Sequence, residues 1–159
     1  MPIPMPTLLA GLAPLVEALD DAGGDAAANA ILTTDLVDKQ VALELELEGR
    51  WVRIGGMAKG SGMIHPDMAT MLGFFSCDAG IDASVWQGMV RRAVQRSFNA
   101  ITVDGDTSTN DTVLAFAAGP PLDQIHHAVL EQGLTQAMQQ LAQAIARDGE
   151  GATLSLIHI

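Results

Sequence analysis

Apolar and acidic residues alternate from Val41 to Glu48, with Val41, Leu43, Leu45 and Leu47 on one side and Glu44, Glu46 and Glu48 on the other. A period of two predicts a half-buried strand, because successive side chains of a strand point to opposite faces. Gly49-Arg50 can turn the chain, and Trp51 to Ile54 can return as the hairpin partner. Met71 to Ser76 reads as a buried strand and Thr112 to Ala117 as another. Ala83 to Phe98 places Trp86, Met89, Val90, Ala93, Val94 and Phe98 at helical spacing, with Asp82 or Ser84 available as a cap. Asp123 to Arg147 carries Ile125, Val129, Leu134, Met138, Leu141 and Ile145 in a long helical pattern, weakened at Gly133 and closed by Gly149. Towards the amino end, three prolines keep Met1 to Pro6 from starting a regular helix. Thr7 to Leu19 then reads as a helix disturbed at Pro14, and Asp25 to Leu32 as an alanine-rich one. Together these elements predict an α/β chain of the mixed α+β kind, without regular βαβ alternation.

Composition narrows the function. The chain has 159 residues, 48% of them hydrophobic, and a chain of this size buries roughly two thirds of its unfolded surface. Only 4% of residues are aromatic and Tyr is absent, so the core must be built mainly from Leu, Val, Ile, Ala and Met. The net charge of -11 argues against nucleic acid, which needs clustered Lys and Arg, and against an anionic membrane surface. No apolar run approaches the ~20 residues that cross a bilayer, and no signal peptide is expected. The single cysteine, Cys77, cannot form an internal disulfide, which fits a reducing cytoplasm. Its setting at the end of an apolar run makes it a small buried filler.

Three polar or glycine-rich segments exceed what packing requires: Gly55 to Leu72, Ser97 to Thr112, and Asp148 to Thr153. The first is not a phosphate-binding Walker loop, since Lys59 is followed by Gly60 and not by Ser or Thr. The run from Asp104 to Asp111 resembles a calcium loop only superficially. It lacks Gly at its sixth position and has Ala115 where a bidentate Glu is needed. No Cys or His pair has zinc spacing, so no metal is expected. His126 and His127 are neighbours on a helical pattern and read as solvent-facing. Met57, Met63, Met68 and Met71 read as core filler, and Thr107 to Asp111 as turn and hydrogen-bonding residues near a site.

The strings MAKGSGMIHPDMATML, SFNAITVDGDTSTNDTV and DGEGAT, in that order, resemble the ornithine acetyltransferase family of arginine biosynthesis. The resemblance implies the self-processing, N-terminal-nucleophile fold of the ornithine acetyltransferase and aminopeptidase-like proteins. It implies that residues 1–153 are a central fragment, with 1–69 ending the alpha piece and 70–153 starting the beta piece. It also implies cleavage between Ala69 and Thr70, with Thr70 as catalytic nucleophile. A threonine hydroxyl needs a neighbouring base, and cleavage would supply one by freeing the α-amino group of Thr70. That amine has a reference pKa of about 7.7–8.0. Thr70 would then take acetyl from N-acetylornithine and pass it to glutamate. Lys59, Thr70 and Glu150 are the implied substrate-binding residues, Lys59 for a ligand carboxylate and Glu150 for an amine. Outside the motif, each would read as an ordinary strand-start, loop or post-helix residue.

The resemblance further implies no cofactor, although acetyl-coenzyme A stays open as a donor substrate, and an assembly of two alpha and two beta pieces. Asp67 stands where Asn is usual, and Leu154 where Lys is expected. Residues 154–159 read as a non-native tail. The family's oxyanion-hole Thr-Gly pair has no counterpart in residues 1–54, where Thr33-Thr34-Asp35 is nearest. Loss of such donors costs about 10²–10³ in rate, so the fragment alone is expected to be inactive. The alternatives are a self-processing aminopeptidase of related fold and an inactive piece whose property is assembly.

Overall fold

The computed structural model describes residues 4–62, 64, 71–105 and 110–149. Its centre is a four-stranded sheet whose strands lie in chain order, with the long last helix packed against the first two strands. This is the mixed α+β arrangement that the sequence predicts.

β1 (Lys39–Leu47) and β2 (Arg50–Lys59) form an antiparallel hairpin. The turn is Glu48-Gly49, one residue earlier than expected, and both residues have positive φ, 56° and 71°. That is the backbone twist a two-residue hairpin turn favours. For Glu48 the conformation costs on the order of 1–2 kcal/mol. Its carboxylate meanwhile accepts the Asp123 N–H at 2.6 Å, which ties the turn to the start of the last helix.

β2 runs five residues beyond Ile54, through Gly55-Gly56, which the sequence had placed in a loop. The glycines serve sheet packing instead. Gly56 pairs with Phe75, and a Cβ on Gly56 would come 2.6 Å from the Phe75 ring. A strand glycine of this kind lets an aromatic ring lie across the backbone. Lys59 therefore ends a strand and does not sit in a flexible loop.

β3 (Leu72–Cys77) is antiparallel to β2, and β4 (Thr112–Ala117) is parallel to β3. A parallel pair needs a long crossover. Here it contains α3 (Ala83–Gln95) and a 3-10 turn at Phe98–Ala100. Asp82 caps α3, accepting from the Ser84 and Val85 N–H groups at 2.9 and 3.3 Å, and the Ser84 hydroxyl also donates to it. The helix ends at Gln95, short of the expected Phe98, and the Ser97 hydroxyl donates back to the Ala93 carbonyl. Trp86 Nε1 donates to the Ala115 carbonyl at 2.9 Å, fastening α3 to β4.

The predicted helix from Asp123 is a 3-10 turn at Gln124–His126 followed by α4 (His127–Arg147). Gly133 is a point of close approach, since a Cβ there would lie 2.7 Å from the Leu45 side chain. Asp148 forms the C-cap with φ -88°, so closure by a left-handed Gly149 does not occur. Both histidines are half-buried, and His127 Nε2 lies 3.3 Å from the Leu122 carbonyl oxygen, which corrects their reading as solvent-facing.

At the amino end, α1 (Met5–Glu17) starts inside the proline-rich stretch, with Pro6 in its first turn. A missing N–H is harmless there, because first-turn N–H groups have no intrahelical partner. All of α1 is exposed, and α2 (Gly24–Ala30) contributes only Ala28 to the interior.

The core fills the space between the sheet and the two long helices. Val41, Val52, Ile54 and Phe75 face Trp86, Met89, Leu130, Leu134, Met138, Leu141 and Ile145. Cys77 is buried among them, and burial pushes its thiol above the ordinary range, as expected of inert filler. Among the described residues, no helix is long and apolar enough to cross a membrane.

Candidate active site

One end of the sheet gathers the polar segments. β2 finishes there at Lys59, β3 begins beside it at Leu72, and β4 begins at Thr112. β1 starts at the same end, with Lys39 paired to Ala58. α4 delivers Asp148 to it.

A buried ionic cluster holds this end together. Lys39 Nζ donates to Asp35 Oδ1 at 2.7 Å, to Asp148 Oδ2 at 2.5 Å and to the Val37 carbonyl at 3.2 Å. An ammonium has three donors, and all three are used. The Lys39 and Asp35 side chains are fully inaccessible to solvent and that of Asp148 nearly so. The carboxylates bind backbone as well. Asp35 accepts the Gly60 N–H at 2.7 Å and the Thr33 N–H at 3.2 Å, and Asp148 accepts the Leu36 N–H at 3.0 Å. Burial works to raise the Asp35 pKa, but the hydrogen bonds from Lys39, Gly60 and Thr33 outweigh it and hold the carboxyl below its ordinary value. The cluster thus joins the segment before β1, the exit of β2 and the end of α4.

Lys59 lies next to that cluster and is 7% exposed. Its ammonium reaches the Thr33 hydroxyl at 3.5 Å, and among the described residues no carboxylate lies within ion-pair distance of it. Among the described residues this buried cation is served by one distant hydroxyl and, beyond ion-pair distance, by the charge of Asp111, a setting that favours an incoming anion. Gly60, with φ 152°, then turns the chain away, and the buried Ser61 hydroxyl meets that of Thr34 at 2.7 Å. Thr33 and Thr34, the nearest sequence counterpart of an oxyanion pair, therefore spend their hydroxyls on Lys59 and Ser61.

Two further carboxylates hold the segments that flank residues 65–70. Asp104 accepts the Ile64 N–H at 3.0 Å, while the Ile64 carbonyl receives the Val103 N–H and the Thr102 hydroxyl. Asp111 accepts the Met71 N–H at 2.8 Å. Burial pushes the Asp111 carboxyl above its ordinary value, opposed by that hydrogen bond and by the charge of Lys59.

A sequence profile of the ArgJ family matches residues 1–159 of this chain. The chain belongs to the ArgJ family. It is 82% identical over 153 residues to the arginine biosynthesis bifunctional protein ArgJ of Parasynechococcus marenigrum strain WH8102, covering 96% of this chain and 37% of that protein. It is 72% identical over 156 residues to the protein of the same description from Prochlorococcus marinus strain MIT 9313, covering 98% of this chain and 36% of that one. A crystal structure of the Bacillus halodurans ArgJ matches at 43% identity with a TM-score of 0.45, over 49% of this chain and 39% of that one. This ArgJ-family chain thus spans a little over a third of the length of the curated relatives it matches.

Of the residues singled out in the sequence, Lys59 stands at the gathered end of the sheet. Ala69, Thr70, Glu150 and the tail at 154–159 lie outside the described residues, as do Met63, Asp67 and Met68. Asp111 bears out its reading as a hydrogen-bonding residue near the site, whereas the ionic cluster of Lys39, Asp35 and Asp148 was not foreseen. Lys39 carried one visible signal, a charge placed in register with the inward-facing Val41, Leu43, Leu45 and Leu47. Among the described residues, no His, Cys, Asp and Glu cluster could hold a metal ion.

Proposed function

We propose that this ArgJ-family chain is the central part of an ornithine acetyltransferase of arginine biosynthesis, and that Thr70 of the full-length protein carries the acetyl group. The observation that supports this most directly is Lys59. It is a buried cation without an ion-pair partner among the described residues, and it is paired in register with Leu72, two residues after Thr70. A carboxylate of an amino-acid substrate bound to Lys59 would bring the rest of that substrate beside the nucleophile.

In self-processing, the Thr70 hydroxyl adds to the Ala69 carbonyl carbon, the Ala69–Thr70 C–N bond breaks, and the nitrogen takes up a proton. Water then opens the resulting ester, leaving an Ala69 carboxylate and a free Thr70 amine. In turnover, that amine takes the Thr70 hydroxyl proton as the oxygen attacks the acetyl carbon of N-acetylornithine. Ornithine leaves as the amine, having gained the proton, and acetyl remains as an ester on Thr70. The glutamate amine attacks this ester, and the threonine oxygen recovers its proton. Glu150 follows the anchored Asp148 by two residues, which favours its reading as the partner of a substrate amine. The reading requires no cofactor and leaves acetyl-coenzyme A as an alternative donor. It includes cytoplasmic location and an assembly of two alpha and two beta pieces.

The test is acetyl transfer by the full-length protein from N-acetylornithine to isotope-labelled glutamate, with a Lys59→Met variant beside it. The expected result is labelled N-acetylglutamate, with Lys59→Met raising KM more than it lowers kcat. Release of amines from peptide amides without acetylation of glutamate would point instead to the aminopeptidase reading.

A further inference from the structure

Asp111 does something that the packing of the sheet does not require. β3 and β4 are parallel, with Leu72 paired to Thr112. The Thr112 N–H donates to the Met71 carbonyl at 3.1 Å, so the ladder extends one residue back from Leu72. In a continuing parallel ladder, the Met71 N–H would donate to the carbonyl of Asn110. It donates instead to Asp111 Oδ1 at 2.8 Å. A side chain has taken the place of a backbone acceptor, and β3 begins at Leu72. Met71, 7% exposed, is therefore fixed through both of its backbone polar groups at the point where regular pairing stops.

We infer that Asp111 is a positioning residue for the nucleophile, holding the N–H of Met71, the residue that follows Thr70 in the chain. The inference rests on the reading of Thr70 as the self-cleaving residue. Its physical basis is peptide planarity: the Met71 N–H shares a plane with the carbonyl and Cα of the residue before it. A group that fixes the direction of that N–H therefore constrains the peptide plane to which the threonine is attached. A hydrogen bond to an ionised acceptor is stronger than a neutral one, which suits a single contact with this task. Burial of Asp111 and the nearby charge of Lys59 place the carboxylate within the same electrostatic environment as the substrate-binding cation. Asp111 accepts no proton in this role and touches no substrate.

The experiment follows self-cleavage of the full-length protein by intact mass over time, for wild type, Asp111→Ala and Asp111→Asn, with urea midpoints recorded for each uncut precursor. Asp111→Asn keeps an oxygen that can accept the Met71 N–H, whereas Asp111→Ala removes it. The expected result is cleavage slowed at least about tenfold in Asp111→Ala, the scale of losing a hydrogen bond to a charged group. Asp111→Asn, whose amide oxygen accepts more weakly than a carboxylate, should cleave faster than Asp111→Ala and more slowly than the wild type. Equal rates for wild type and Asp111→Ala would overturn the inference, as would an Asp111→Asn precursor of wild-type midpoint that cleaves as slowly as Asp111→Ala. A wild-type protein that never cleaves would overturn the Thr70 reading itself, a result distinct from either of these.

Discussion

Replacing Lys39 with methionine should be among the most damaging single changes available in this chain. Methionine keeps the length of the side chain and removes its charge. The change leaves Asp35 and Asp148 facing each other where neither is more than 5% exposed, after losing contacts of 2.7 and 2.5 Å. Removing one partner of a buried pair costs about 3–5 kcal/mol, because the other charge stays buried without compensation. For a domain of this size that corresponds to a fall in Tm of roughly 6–20 °C, at about 2–4 °C per kcal/mol. Arg92→Met is the control. Its partner Glu131 is bound at 2.7 Å, but the Arg92 side chain is 55% exposed. Such surface pairs contribute about 0–1 kcal/mol. Urea titration read by Trp51 and Trp86 fluorescence distinguishes the two. The Lys39→Met defect should also widen as pH rises: burial and mutual repulsion raise the pKa values of the stranded carboxyls, so fold stability is lost as they ionise. A Lys39→Met midpoint no lower than that of Arg92→Met, at pH 7 and above, would refute the argument.

Two other perturbations follow from the same geometry. Asp35 has a folded pKa below its ordinary value, so its contribution to stability is complete above about pH 4 and is lost as pH falls through the folded value; Asp35→Asn should therefore be less stable at neutral pH, with the gap closing in acid, and a gap independent of pH would contradict this assignment. Gly56→Ala places a Cβ 2.6 Å from the Phe75 ring and 3.2 Å from Val41, which should cost about 1–3 kcal/mol by overpacking, and an unchanged urea midpoint would show that the ring moves aside freely.

How much of this was legible in the sequence depended on whether the signal was local. β1 declared itself through the strict alternation from Val41 to Leu47 and was found. The extension of β2 was missed because Gly55-Gly56 carries the composition of a loop. Its strand character comes from Phe75, which reaches Gly56 only after β3 folds back. The start of α3 and the end of α4 were found, but the end of α3 and the start of α4 were misjudged where 3-10 turns replaced the continuing apolar period. The ionic cluster had a local hint in Lys39, whose inward register breaks the apolar pattern. Its partner Asp148 is 109 residues away, and no pattern along the chain connects them. Asp111 was visible as part of a polar string, but the contact with Met71 depends on the parallel pairing of β3 with β4. The proposed chemistry rests on the long motifs around Lys59 and Thr70 and on family membership. No periodicity or charge balance would have pointed to a threonine nucleophile.

The central claim is that Thr70 cuts its own chain and then carries acetyl. The most direct measurement is the intact mass of the purified full-length protein, beside a Thr70→Ala control. The account predicts two pieces for the wild type, meeting between Ala69 and Thr70, and a single uncut chain for the control. An uncut wild type, or a cut at the same bond in Thr70→Ala, would contradict it.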